Sequence, residues 1–172
     1  MKTIGNNGLK WLKITHIVLV ALFFGGIMSS VAIHTGIKLD SYEVTLETYK
    51  RIVVISDYVI RTGAVGTLIV GFIYGIFTKW GFFKHRWVTV KWILFIIQTV
   101  VGIFVVDHLM MTNMALLEKE KALALSNPAF IQNDEWRQYA VWFQVGVTLF
   151  IFIISVLKPW KKKRTSTKVT AA

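Results

Sequence analysis

The chain has 172 residues, 55% of them apolar, and a mean hydropathy of +0.57. A soluble protein of this one-domain length carries fewer apolar residues in shorter runs. The formal charge of +11 is sorted along the chain by sign rather than gathered on a nucleic-acid-binding element, so no nucleic-acid partner is expected; the absence of cysteine excludes disulfides, thiolate metal sites and iron–sulfur clusters.

Four apolar runs, roughly 14–33, 52–78, 87–110 and 139–157, organise everything else. Each meets the requirement of about 20 apolar residues for a helix crossing the hydrocarbon core. The expected fold is all-α: an integral membrane antiparallel four-helix bundle, as one domain over 1–164. Its spans are expected at about 10–34, 51–79, 87–111 and 137–159, with a disordered tail at 165–172. The first run follows a short polar lead and ends near His34-Thr35-Gly36; although its basic start and Ser30-Val31-Ala32 are similar to a signal peptide, it is read as an uncleaved span. The 37–50 connection is expected to hold a short interfacial helix. The second run ends in a tight turn at Thr78-Lys79-Trp80-Gly81. The 111–137 connection divides at Asn127-Pro128, where Asn127 can cap and Pro128 can open a helix that runs on into span four. Pro159 closes that span.

Charge sets the expected orientation. Lys2, Lys10 and Lys13 precede span one; Lys79, Lys84, Arg86 and Lys91 surround the second turn; Lys158, Lys161, Lys162, Lys163, Arg164 and Lys168 follow span four. The acidic residues sit elsewhere, with Asp40, Glu43 and Glu47 in the first connection and Glu118, Glu120, Asp134 and Glu135 in the third. By the positive-inside rule both termini are expected on the cytoplasmic side of the membrane that this multi-pass protein crosses. Trp11, Trp80, Trp87, Trp92 and Trp160 mark one interface, Trp136 and Trp142 the other. The Lys161-Lys162-Lys163-Arg164 tail is expected to lie on anionic lipid.

Small residues recur at every fourth position in Gly63, Thr67, Gly71 and Gly75, and Gly25, Gly26, Ser29 and Ser30 answer them on span one. Such stripes let membrane helices approach closely. Packing of span one on span two accounts for them; a homo-oligomer contact is the other reading.

Polar residues within the spans each need a reason, because ionisable groups are costly in hydrocarbon. His16, Lys91 and Gln98 form one set near the basic end, where with His85 they could line a pocket. Alternatively, Lys91 reaches for the headgroups and His16 bonds a carbonyl. Asp57 and Arg61 form an i,i+4 pair, and Asp107, His108 and His34 could share their layer. This set is either a structural ion pair or a haem-propionate clamp, proton path or ion site. His16 and His34 are five full turns apart, about 27 Å along one helix, so they cannot ligate one iron. His108, Met110, Met111 and Met114 offer imidazole and thioether ligands suited to Cu(I), although methionine is also an ordinary filler of helix cores.

Three stretches carry a family resemblance: Trp11-Leu-Lys-Ile-Thr-His16, Trp80-Gly-Phe-Phe-Lys-His-Arg-Trp87-Val-Thr-Val-Lys91-Trp92, and Lys158-Pro159. Together they resemble bacterial small four-span integral membrane proteins over nearly the whole chain. More remotely, the His of span one and the Trp-x-x-x-Lys of span three are similar to HemJ-type protoporphyrinogen oxidases and to CopD-type copper-resistance membrane domains. The first of these implies haem b, with His16 as ligand and Lys91 in the tetrapyrrole pocket.

Three functional readings follow. One is a membrane scaffold or accessory subunit with a membrane-protein partner or a second copy. Another is a haem b or porphyrin-binding redox protein using His16 with Lys91 and Gln98 at one end, and His34 or His108 with Arg61 at the other. The last is a copper-handling protein using His108, Met110, Met111 and Met114.

Overall fold

The computed structural model describes residues 4–78 and 81–160. Among the described residues four long helices make up the fold: α1 (Asn6–Gly36), α2 (Tyr42–Phe77), α3 (Arg86–Ser126) and α4 (Pro128–Leu157). All four are long and apolar enough to cross a membrane. Helices prevail because lipid offers no partner for backbone N–H and C=O groups, and a helix satisfies its own. The expected 37–50 helix is not separate. Ser41 caps a helix at Tyr42, and that helix runs unbroken into span two. The 36-residue α2 is about 54 Å long at 1.5 Å per residue. It therefore outruns a hydrocarbon core of about 30 Å, and its polar first turns project beyond it.

The helices pair in sequence order, α1 on α2 and α3 on α4. Glycine makes the first pair close: a Cβ on Gly63 would fall on the backbone of Phe23, and one on Gly66 on the Leu19 side chain. Farther along α2 the same face meets different neighbours. Trp92 of α3 fills the space beside Gly71, and Phe82 of the turn fills that beside Gly75. The small-residue stripe is thus covered by this chain's own side chains.

The two pairs join through two cores. Phe23, Ile27, Val31, Ala64, Val141 and Val145 form the core at membrane depth. Tyr49, Ile52, Met110, Leu117, Ala124 and Phe130 form the other, where α2, α3 and α4 project beyond the apolar runs. Asn127 accepts the Ala129 N–H at 2.9 Å and Pro128 sits in the first turn, so α4 begins where the sequence indicates. Lys158 ends α4 in a left-handed conformation, and Pro159 follows. The basic tail and Lys79-Trp80 lie outside the described residues.

Both middle helices widen at the same level. Ser56–Ile60 in α2 and Gly102–Asp107 in α3 are π-helical. Such wide turns loosen the backbone ladder and often accompany functional sites. Here they face one another across a small cavity, described below.

Candidate functional site

Intramembrane and interfacial polar groups collect in four places, described from the acidic end of the bundle to the basic end. At the acidic end one network ties all four helices. Asp134 of α4 faces His34 of α1, whose Nε2 lies 3.1 Å and 3.2 Å from the two carboxylate oxygens. The Tyr49 hydroxyl of α2 donates to Asp134 Oδ1 at 2.6 Å, and Arg137 Nη2 donates to the same oxygen at 2.8 Å. Asn113 of α3 donates to the Tyr49 oxygen at 3.2 Å and to the Phe130 carbonyl at 2.9 Å, and Asn133 donates back to Asn113 Oδ1 at 3.0 Å. Arg137 is only 2% exposed, and its guanidinium lies 5.2 Å from the Tyr49 ring centroid. A charge this deeply buried is tolerable only because Asp134 answers it.

One turn deeper, Asp107 of α3 accepts from Ser56 at 3.0 Å and from Arg61 Nη2 at 3.1 Å. Arg61 also pairs with Asp57 at 3.0 Å, the i,i+4 partner that the spacing indicates. The layer expected from the sequence therefore forms around Asp57, Arg61 and Asp107 only. His34 turns instead to Asp134, and His108 is exposed.

Between these two clusters lies a cavity of about 80 Å³. It is bounded by the two wide turns and by Ser56, Asp107, Arg137 and Gln144. Arg137 Nε is buried without a hydrogen-bond partner. Such a volume corresponds to roughly two or three waters at about 30 Å³ each.

The third cluster is at membrane depth. Gln144 Nε2 donates to the Gln98 carbonyl at 3.0 Å, and the Thr148 hydroxyl lies 3.0 Å from Gln98 Oε1 and 2.8 Å from the Gln144 carbonyl. Gly102 leaves room for this, since a Cβ there would come 2.9 Å from Gln144 Nε2. Gln98 thus binds α3 to α4 and does not join Lys91 or His16 in a pocket.

The fourth is the basic end. Lys91 Nζ lies 4.7 Å from the centroid of Trp87, and Lys158 Nζ lies 6.0 Å from the same centroid. His85 stacks on that indole at 6.2 Å. His16 meets Tyr74 edge-on at 5.8 Å, within electrostatic reach of Lys91, and its Nδ1 is buried without a hydrogen-bond partner.

The six residues considered for haem therefore lie in separate places: His16 and Lys91 at the basic end, Gln98 in the middle, Arg61 with the aspartates, His34 in the acidic-end network, and His108 on the surface. The four considered for copper also diverge. Met110 is buried in the acidic-end core and Met114 packs against it, whereas Met111 and His108 are exposed. Among the described residues no group of three or more His, Asp or Glu is placed to hold a metal ion. The residues that sequence reasoning passed over are Tyr49, Asn113, Arg137, Gln144 and Thr148. Only the Asp134–Arg137 spacing of three signalled any of them.

No curated protein matches this chain, and no solved structure does. Residues 10–159, from the basic approach to α1 through the Pro159 that closes α4, match the family model described as a predicted integral membrane protein (DUF2269). The chain belongs to that family.

Proposed function

We propose that this protein is a scaffold or accessory subunit of the bacterial cytoplasmic membrane, with its basic end and both termini on the cytoplasmic side. The orientation follows from the concentration of Lys and Arg at one end. The observation that carries the functional reading is where the polar groups go. His34, Tyr49, Asn113, Asp134 and Arg137 join one helix to the next, and so do Gln98, Gln144 and Thr148. The cavity they leave is about 80 Å³, against the roughly 300–1,000 Å³ of small-molecule sites. A stiff bundle with apolar outer walls suits a protein that holds another membrane protein in place. Photo-crosslinkers at the exposed positions Val65, Ile69, Ile103 and Phe104 test this in intact membranes. A discrete adduct with one membrane protein, or with a second copy, is expected. Lipid adducts alone at all four positions would remove the reading.

A second reading, haem b or porphyrin bound at the basic end, is favoured by one observation: the unpartnered Nδ1 of His16 beside Lys91. The absorption spectrum of protein purified from haem-supplemented cells decides it. A stoichiometric Soret band lost in His16→Ala would establish haem, and a featureless spectrum would eliminate it. Copper in the same preparation, abolished by changing His108 and Met111 together, would instead support metal handling.

A further inference from the structure

The two π-helical segments put their polar residues at one level. Ser56 opens the wide turn of α2 and Asp107 closes that of α3, and the Ser56 hydroxyl donates to Asp107 Oδ1 at 3.0 Å. At the start of each segment one N–H is shared between two carbonyls: that of Ser56 reaches Ile52 and Val53, and that of Gly102 reaches Gln98 and Thr99. The backbone ladder is spread at both places, and the cavity of about 80 Å³ lies beside the spread turns. Ser56, Ile60, Gly102 and Asp107 line it from α2 and α3, and Arg137 and Gln144 line it from α4.

Arg137 is the group most in need of a partner there. Its side chain is 2% exposed. Nη2 donates to Asp134 at 2.8 Å, but Nε, also buried, has no hydrogen-bond partner. A guanidinium carries N–H donors on every nitrogen, and one left unpaired away from water is costly. On the α3 wall Asp107 takes one donor on each carboxylate oxygen, from Ser56 and from Arg61 Nη2. Each of these oxygens has a second lone pair, so acceptor capacity remains. Cavities that stay empty are lined by apolar groups alone, and this one is not. A buried water needs about two to four polar partners, and Arg137 Nε, the Asp107 carboxylate, the Ser56 hydroxyl and the Gln144 amide supply them.

We propose that the cavity is a hydration site, in which roughly two or three ordered waters bridge Arg137 Nε to the Asp107 carboxylate. Water accepts the Nε–H and donates to Asp107, so both charged groups gain a partner without touching each other. Water suits the site better than an ion does. Arg137 and Asp107 both line it, so an anion would meet a carboxylate and a cation would meet a guanidinium. The bridge joins the acidic-end network of His34, Tyr49, Asp134 and Arg137 to the cluster of Ser56, Arg61 and Asp107 one turn deeper. A single polar path then runs from the acidic end of the bundle to the level of the wide turns. The assignment does not rest on the scaffold reading; it needs only the fold.

Water-edited solid-state NMR of the isotope-labelled full chain in lipid bilayers tests the assignment, because magnetisation started on water passes first to the groups that water touches. The Arg137 Nε signal is expected to build up early although the side chain is buried. The methyls of Leu117, fully buried and away from the cavity, should build up late. A late Arg137 signal would show a dry cavity and overturn the site. Early transfer to it from lipid acyl protons in place of water would also overturn the site, by making the occupant an acyl chain that enters beside the half-exposed Val65 and Ile103. Two variants test the bridge. Asp107→Leu removes the acceptor and leaves Arg61 its pairing with Asp57, so early transfer to Arg137 Nε should be lost. Asp57→Leu removes the same charge from outside the cavity lining and should leave the transfer unchanged. Transfer that survives Asp107→Leu, or that falls equally in both variants, would overturn the bridge. The wild-type chain tests it without any substitution: the Asp107 carboxyl carbon should build up together with Arg137 Nε, and a late carboxyl signal would overturn the bridge.

Discussion

The two ends of this bundle handle charge in opposite ways. At the acidic end every helix contributes to one network, and the buried Arg137 is answered by Asp134, which is in turn held by His34 and Tyr49. At the basic end Lys91 and Lys158 share the face of one indole, that of Trp87. One end holds its buried charge with a carboxylate and the other rests its cations on an aromatic ring. The contrast teaches that buried charge has two uses. Where a carboxylate answers a buried guanidinium, removing the carboxylate is expected to unfold the protein; where an ammonium group rests on an indole, removing the charge is expected to leave the fold.

That contrast breaks most sharply at Asp134. Asp134→Ala leaves the guanidinium of Arg137 buried and uncompensated, and a loss of about 3–5 kcal/mol is expected. Unfolding against the mole fraction of dodecyl sulfate in mixed micelles measures it. Restoring an apolar match with Arg137→Met in the same chain should recover much of the loss; no recovery would show that the network does more than neutralise one charge. Next comes the close approach of α1 and α2. A side chain at Gly63 meets the Phe23 backbone, so Gly63→Leu should cost about 1–3 kcal/mol in the same titration. Gln98→Leu removes one interhelical acceptor from Thr148 at membrane depth and should cost about 0.6 kcal/mol, the usual worth of such bonds. The smallest effect is the most telling for the comparison. Lys91→Met should change stability by no more than about 0.5 kcal/mol. A loss as large as that of Asp134→Ala would mean that the basic end carries as much of the fold as the acidic end, and the distinction between the ends would fail.

Much of this could be read along the chain. Four spans, their antiparallel order and the separation of positive from negative ends follow from residue type alone, because hydrocarbon tolerates only long apolar helices. The Asp57–Arg61 pair and the Asn127-Pro128 helix start were legible too, since both are local in sequence. The continuity of Tyr42–Phe77 was not. Its first fourteen residues alternate polar and apolar in a way that suits a surface helix as well as an extension of a span. The wide turns at Ser56–Ile60 and Gly102–Asp107 left no compositional mark. His34 was placed with Asp57, Arg61 and Asp107 because it lies at the right depth; its actual partner is a hundred residues away.

Arg137 shows the limit most plainly. In sequence it stands between Trp136 and Gln138, in what reads as a polar approach to span four, and nothing marks it as buried. Tertiary packing decides its environment, because α4 rotates that position toward Tyr49 and the cavity while Trp136 and Tyr139 remain exposed. The sequence by itself determined which segments enter the membrane and which end is basic, since transfer to lipid depends on composition summed along a helix. Which polar groups meet, which cation is answered by a carboxylate and which rests on an indole were decided only by how the four helices turn against one another, because a contact between helices depends on rotation and depth that no single segment encodes.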